Sequence, residues 1–171
     1  AWEAPTALYN ESSDLLPIMT AWNAYHETYT QLVNSIANNQ YKSREAKLIQ
    51  FIKDLAKQLE RIRLEGSTPE DKTNAARMGT LIAYISSLWT YSEAPKGGKV
   101  RAGSLQQPHA TQILTVFRLL GSNGCKRDQL AQVGTGEGNS VALGILAAVH
   151  SLMGFNVDVV CYTDRLSQRD H

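Results

Sequence analysis

The sequence predicts an α/β chain with a helical N-terminal part. Three observations carry that expectation. Apolar residues recur at helical spacing up to residue 93, a proline- and glycine-bearing break follows, and then a short apolar run, a glycine loop, an apolar stretch and a β-branched run succeed one another.

The first helix should run from residue 14 to about 37. Leu15, Ile18, Met19, Trp22, Tyr25, Tyr29, Leu32, Val33 and Ile36 line one face. Ser13 or Asp14 can cap it, Pro17 falls in the tolerated first turn, and Asn38-Asn39 supplies a stop. A second helix is expected over 43–65, with Leu48, Phe51, Ile52, Leu55, Leu59 and Ile62 facing inward and Gly66 ending it. Thr68-Pro69-Glu70-Asp71 then reads as an N-cap, a proline at the first helical position and two acids on the positive end of the dipole. The third helix carries Ala75, Met78, Ile82, Ile85, Leu88 and Trp89 and should stop before Pro95. Residues 1–93 thus read as a three-helix bundle or helical prefix.

Residues 94–107, with Pro95, Gly97, Gly98, Gly103 and Ser104, read as a linker. Beyond it, 109–120 should be a helix ended by Gly121. Its apolar residues Ile113, Leu114, Val116, Phe117, Leu119 and Leu120 wrap round the axis and imply burial on several sides. Gln129 to Val133 reads as a short strand, Val141 to Met153 as an apolar helix and Val157 to Tyr162 as a β-branched strand. Two parallel strands joined by a crossover helix form a βαβ unit, which belongs in a sheet covered on both faces. Residues 108–171 would be an incomplete piece of such a domain, because a full sheet needs more strands than these.

Composition limits the function. The 171 residues carry 17 Lys plus Arg and 16 Asp plus Glu. Ten basic residues face eleven acidic ones before Gly98, and seven face five after it. Neither half is the basic surface that phosphate-backbone binding requires, so nucleic acid is disfavoured as a partner. Apolar runs stop well short of the roughly 20 residues that cross a bilayer. Two cysteines, Cys125 and Cys161, lack metal or disulfide spacing, which favours a reducing, cytoplasmic setting. His26, His109, His150 and His171 are scattered without ligand spacing. The chain opens Ala1-Trp2-Glu3 with no signal-peptide pattern, as a segment of something longer would.

Chemistry concentrates between the expected strand and helix, at Gly134-Thr135-Gly136-Glu137-Gly138-Asn139-Ser140. Glycines let successive backbone N–H groups curl around an anion, and the following helix points its positive end at the same place. Phosphate is the natural guest. In the general loop GxxxxGK[ST] the lysine reaches the outer phosphates and the hydroxyl holds magnesium. Ser140 takes the hydroxyl position and Gly138 the glycine before the lysine, while Asn139 stands where the lysine belongs and Val133 replaces the first glycine.

The run Leu130 to Ser140, followed by Thr163-Asp164-Arg165-Leu166-Ser167-Gln168-Arg169-Asp170, resembles the motor domain of the SecA preprotein translocase ATPases. In that family a TGEGK[ST] loop precedes a helix, a strand and an N-D-Y-L-A-x-R-D segment. Gln112 is similar to the family's upstream adenine-reading glutamine. The motifs cover about residues 105–171. The resemblance implies a RecA-like, P-loop NTPase parallel-sheet fragment that binds ATP or ADP with Mg2+. It implies that Thr135, Gly136, Glu137, Gly138, Asn139 and Ser140 form the phosphate loop, with backbone amides from Gly136 to Ser140 as cradle. Ser140 would ligate the magnesium, Gln112 would contact adenine, and Asp164, Arg169 and Asp170 would lie in the segment that couples nucleotide state to movement. Glu137, set against the ligand's charge, would point outward.

Two positions depart from the family. Gln107 stands where it has an arginine before the glutamine's helix. Asn139 replaces an ammonium by a neutral amide, removing a charge-assisted contact worth roughly 1.5 to 3 kcal/mol. Binding should survive weakly and hydrolysis should not, because the lysine also stabilises charge on the transferred phosphoryl group. The leading expectation is therefore the nucleotide-binding part of a SecA-like, helicase-like motor, impaired in hydrolysis, whose partner is a protein or the remainder of a parent motor. The alternatives are a catalytically dead P-loop scaffold and a fragment of a nucleic-acid helicase.

Overall fold

A computed structural model describes residues 12–37, 49–54, 57, 72–94, 104–121, 131–132 and 138–160. Four helices organise them: α1 (Ser12–Ala37), α2 (Lys72–Ser92), α3 (Ala110–Leu119) and α4 (Asn139–Leu152). Residues 49–54 and 57 are helical as well, within the expected second helix. The Thr68–Asp71 cap lies outside the described residues.

The 3.6-residue period places the faces of α1. Ile18, Ala21, Tyr25, Tyr29, Val33 and Ile36 are buried at spacings of three and four, while Met19, expected inside, is exposed. The helix begins two residues earlier than the caps suggested, so Pro17 falls in its second turn. On α2, Ala75, Met78, Leu81, Ile82 and Ala83 are buried. The helix stops at Ser92, short of Pro95 as the sequence required. Phe51, expected in the core, is exposed on one side and lays its ring against Tyr84 at 4.8 Å between centroids.

Helices α1 and α2 form the tightest pair. At their crossing Gly79 meets the backbone of Ala21, and a Cβ built on Gly79 would run into the Ala21 carbonyl. Lower on the same seam the Tyr29 hydroxyl and Thr90 Oγ1 share a buried hydrogen bond of 2.7 Å. Burial pushes the Tyr29 phenol up to about 12 and the Thr90 bond works the other way, so the hydroxyl keeps its proton. Replacing Thr90 by valine keeps the shape but orphans the Tyr29 hydroxyl, and denaturant titration should register a loss of about 1 to 3 kcal/mol. The double variant Tyr29→Phe/Thr90→Val should recover most of it, since neither partner then wants a bond.

Helix α3 presents Ile113, Val116 and Phe117 to the same core, each fully buried, and Phe117 meets Tyr25 of α1 edge-on with centroids 6.3 Å apart. Gly121, at φ 72°, ends the turn after α3, where the sequence placed the stop. Helix α4 adds Ala142, Ile145 and Val149. Residues from both sides of the 94–107 segment thus share one core, which Leu105 of that segment joins. Gly144, on the outer face of α4, has open space where a Cβ would go. Gly144→Ala should raise the unfolding free energy by roughly 0.5 to 1 kcal/mol, because alanine has less backbone freedom to lose. Thermal or denaturant unfolding of the two forms reads the gain.

The parallel sheet expected from the sequence does not appear among the described residues. Among the described residues no strand is found. Residues 131–132 are irregular and the rest of the first expected strand lies outside the described residues. Residues 157–160 carry no regular secondary structure and belong to no ladder, with Val157, Val159 and Val160 exposed, Val160 to 88%. The physical reason is that β-branched side chains favour extended backbone, whereas a strand exists only through the hydrogen bonds of a neighbour. The crossover helix formed as α4, and the α/β, RecA-like reading of the described fold gives way to a helical one. No helix among these residues is long and apolar enough to cross a membrane.

Candidate functional site

Two chain segments far apart in sequence meet at Gln112. The first is the start of α3. Pro108 precedes His109, whose extended backbone (φ −71°, ψ 150°) makes it the N-cap, and three residues on Gln112 turns its side chain back, Oε1 accepting the His109 N–H at 2.9 Å. The second is the start of α4. Gln112 Nε2 donates to the carbonyl oxygen of Gly138 at 3.2 Å across 26 residues of sequence. With both ends of its amide engaged, Gln112 is only 3% exposed.

Gly138 is the N-cap of α4 and sits in the left-handed region, φ 75° and ψ 47°. Any side chain there is doubly penalised, because the backbone disfavours it and its Cβ would collide with the Gln112 amide. The Gly138 carbonyl also accepts the Val141 N–H at 3.1 Å, closing the first turn. Helix α4 then starts with Asn139, exposed, and Ser140, half-buried. No acidic residue occupies its first turn, so no side-chain charge there offsets the positive end of the dipole.

A cavity of about 630 Å³ opens at this junction. Gln112, Gly138 and Val141 line it together with Gln107, Pro108 and His109, and Leu105 and Trp89 of α2 also border it. A second cavity of about 560 Å³ shares Gln107 and Pro108 with the first and is lined by Trp22, His26 and Glu27 of α1.

The sequence-derived site residues divide cleanly. Gln112 and Gly138 are in contact, and Asn139 and Ser140 follow directly at the helix start. Thr135, Gly136 and Glu137 lie outside the described residues, as do Asp164, Arg169 and Asp170. Trp89, read from periodicity as part of the inward stripe, lines the cavity instead. His109, one of four scattered histidines in the sequence, proves to be the N-cap that Gln112 holds. Gln107, noted as a departure from the family arginine, lines both cavities.

The family model for the SecA DEAD-like domain matches residues 18–171. No curated protein and no solved structure matches the chain. The family match reaches back through α1 and α2, well upstream of the motifs around the glycine loop. On that match, the chain belongs to the SecA DEAD-like domain family, the helicase-like ATPase part of SecA-like motors.

Proposed function

We propose that this chain is the nucleotide-binding part of a SecA-like motor and holds ATP or ADP with its phosphates at the start of α4 and its base in the adjoining cavity. The observation that carries the reading is the Gln112–Gly138 tie. It joins the base-side glutamine of the family pattern to the helix N-terminus on which the phosphates would rest, beside a cavity of about 630 Å³. Backbone N–H groups at a helix start supply donors for phosphate oxygens, and the dipole favours their charge.

Magnesium fits this arrangement only as an ion carried largely by its nucleotide. Among the described residues no group of three or more His, Cys, Asp or Glu could hold a metal, and the Ser140 hydroxyl is the donor the loop pattern offers. Bound with nucleotide, Mg2+ keeps several waters and neutralises phosphate charge. The chain's own contribution is orientation. Gln112 locks the α3 and α4 starts together, and Gly138 permits the left-handed turn that aims the α4 amides.

Asn139 sets the limit on activity. A neutral amide at the lysine position leaves the outer phosphates without an ammonium, so nucleotide binds weakly and phosphoryl transfer lacks its charge stabiliser. Titration calorimetry with ATP and Mg2+ on the chain and on Asn139→Lys tests the assignment. Weak heat in the first and clearly tighter binding in the second is expected. No binding in the lysine form overturns it and leaves the scaffold reading, which Asn139 also favours.

A further inference from the structure

The cavity at the starts of α3 and α4 is almost without charge. Among the described residues that line it, three are glutamines, one is His109, and the remainder are apolar, proline or glycine. His109 is therefore the lining residue that can gain a charge near neutral pH, since imidazole titrates between about pH 5 and 8. A phosphate held beside Asn139 meets a neutral amide at the lysine position, which leaves its charge for other groups to offset. Gln112 fixes how far His109 stands from that place. Its amide accepts the His109 N–H at 2.9 Å and donates to the Gly138 carbonyl at 3.2 Å. Two hydrogen bonds and the width of one amide thus separate the His109 backbone from the N-cap of α4, a path of about one Debye length at physiological salt. Coulomb attraction at this range depends on separation and dielectric and asks nothing of the orientation of the ring. His109 is exposed, so its charge is hydrated and its pull on an anion is moderate.

The other charged and titratable groups on the surrounding helices are few. Helix α4 carries none before His150 in its last turn, and Arg118 of α3 lies in that helix's last turn. On α2, Lys72 and Arg77 belong to the first two turns, at the opposite end from Trp89, and Glu93 follows one turn beyond Trp89. From α1, His26 and Glu27 line the second cavity, which shares Gln107 and Pro108 with the first, and Asp14 lies in the first turn of that helix. Glu137 lies outside the described residues, and carboxylates change charge near about pH 4, below the imidazole range.

We propose that His109 supplies positive charge to the phosphate side of the nucleotide site, and that protonation of its imidazole tightens nucleotide binding. The inference rests on the nucleotide reading above and adds regulation of that site by protons. Linkage gives the sign. An anion bound near the ring stabilises the imidazolium over the neutral form, so the complex holds more proton than the free chain and binding strengthens as pH falls. At the N-cap of α3 a free imidazolium opposes the positive end of that helix's dipole, and a bound anion offsets the opposition.

The test titrates ATP and tripolyphosphate, each with Mg2+, into the full chain by calorimetry between about pH 8 and 5.5. Phosphates themselves gain a proton near about pH 6, so forms of the chain are compared at the same pH. His109→Asn keeps the backbone N–H that Gln112 accepts and supplies a good N-cap, so the helix starts stay tied. The two forms should bind alike at the upper end of the range, and at the lower end the native chain should bind both ligands about 3- to 10-fold more tightly than His109→Asn. His109→Lys, with a fixed charge, should hold that advantage over His109→Asn at every pH. Near the middle of the range the native chain should take up more protons on binding than His109→Asn does, read as a steeper dependence of the heat on the ionisation enthalpy of the buffer. A pH dependence unchanged in His109→Asn, or one abolished by His26→Asn instead, overturns the proposal. If neither ligand binds at any pH, even with Asn139→Lys added, the nucleotide reading falls and takes this inference with it.

Discussion

Gly79→Ala should cost this protein about 1 to 3 kcal/mol, the range of a forced overpacking, and the loss should appear as a lower denaturation midpoint with little change in slope. The expectation rests on what the new methyl would meet. At the α1–α2 crossing a Cβ on Gly79 overlaps the carbonyl oxygen of Ala21 and lies close to that residue's carbonyl carbon and Cα. Backbone cannot rotate aside as a lysine end would, so relief requires the helices to separate. Separation strips contacts from Tyr25, Leu81 and Ile82, which pack in the same core. On propensity alone the substitution should stabilise, since alanine is the better helix former by about 1 kcal/mol. The two effects oppose each other, and Gly144→Ala, where nothing stands in the way, isolates the propensity gain. Should both glycine substitutions stabilise equally, the close approach of α1 and α2 would be wrong.

Gly79 also illustrates what the sequence could and could not disclose. Helical periodicity located α1 and α2 to within two residues where their ends are described, and it found α3 and α4, because each helix buries a stripe whose spacing is intrinsic to its own backbone. It did not mark Gly79, because the reason for that glycine lies on another helix. The same limit explains Phe51 and Met19, whose apolar character and spacing fit an inward face though both lie on the outside. It explains the strands too. Val157 to Val160 have the composition of a strand but form none, because a ladder needs a partner that local preference does not specify. In the candidate site, Gln112 and Gly138 were legible from the motif pattern. Their mutual hydrogen bond was not, and neither was Trp89 in the cavity wall, since an aromatic on a helical stripe reads as core until the neighbouring helices are placed. The family match over 18–171 likewise includes helices in which no motif was legible.

Asn139→Lys should tighten ATP binding about 10- to 150-fold, the equivalent of the roughly 1.5 to 3 kcal/mol that a charge-assisted phosphate contact supplies. The position can accept the change. Asn139 is the first residue of α4 and is exposed, so a longer side chain displaces no core atom. Without nucleotide the substitution should be mildly unfavourable, since a cation at a helix N-terminus opposes the dipole by about 0.3 to 1 kcal/mol, an effect partly offset by lysine's better helix propensity. With nucleotide the sign reverses, because the ammonium then faces phosphate instead of a bare positive pole. The signature is therefore a crossing: the lysine form melts slightly lower than the asparagine form alone and higher in saturating ATP and Mg2+. The gain should be larger for ATP than for ADP, because a lysine in this loop reaches the outer phosphates. Added salt should shrink the gain if the lysine contacts the ligand at an exposed terminus. Equal ATP affinity in the two forms, measured by calorimetry at fixed salt, would remove the start of α4 from the phosphate site. A gain equal for ATP, ADP and inorganic phosphate would instead mean that the new charge attracts anions without the geometry of a nucleotide site.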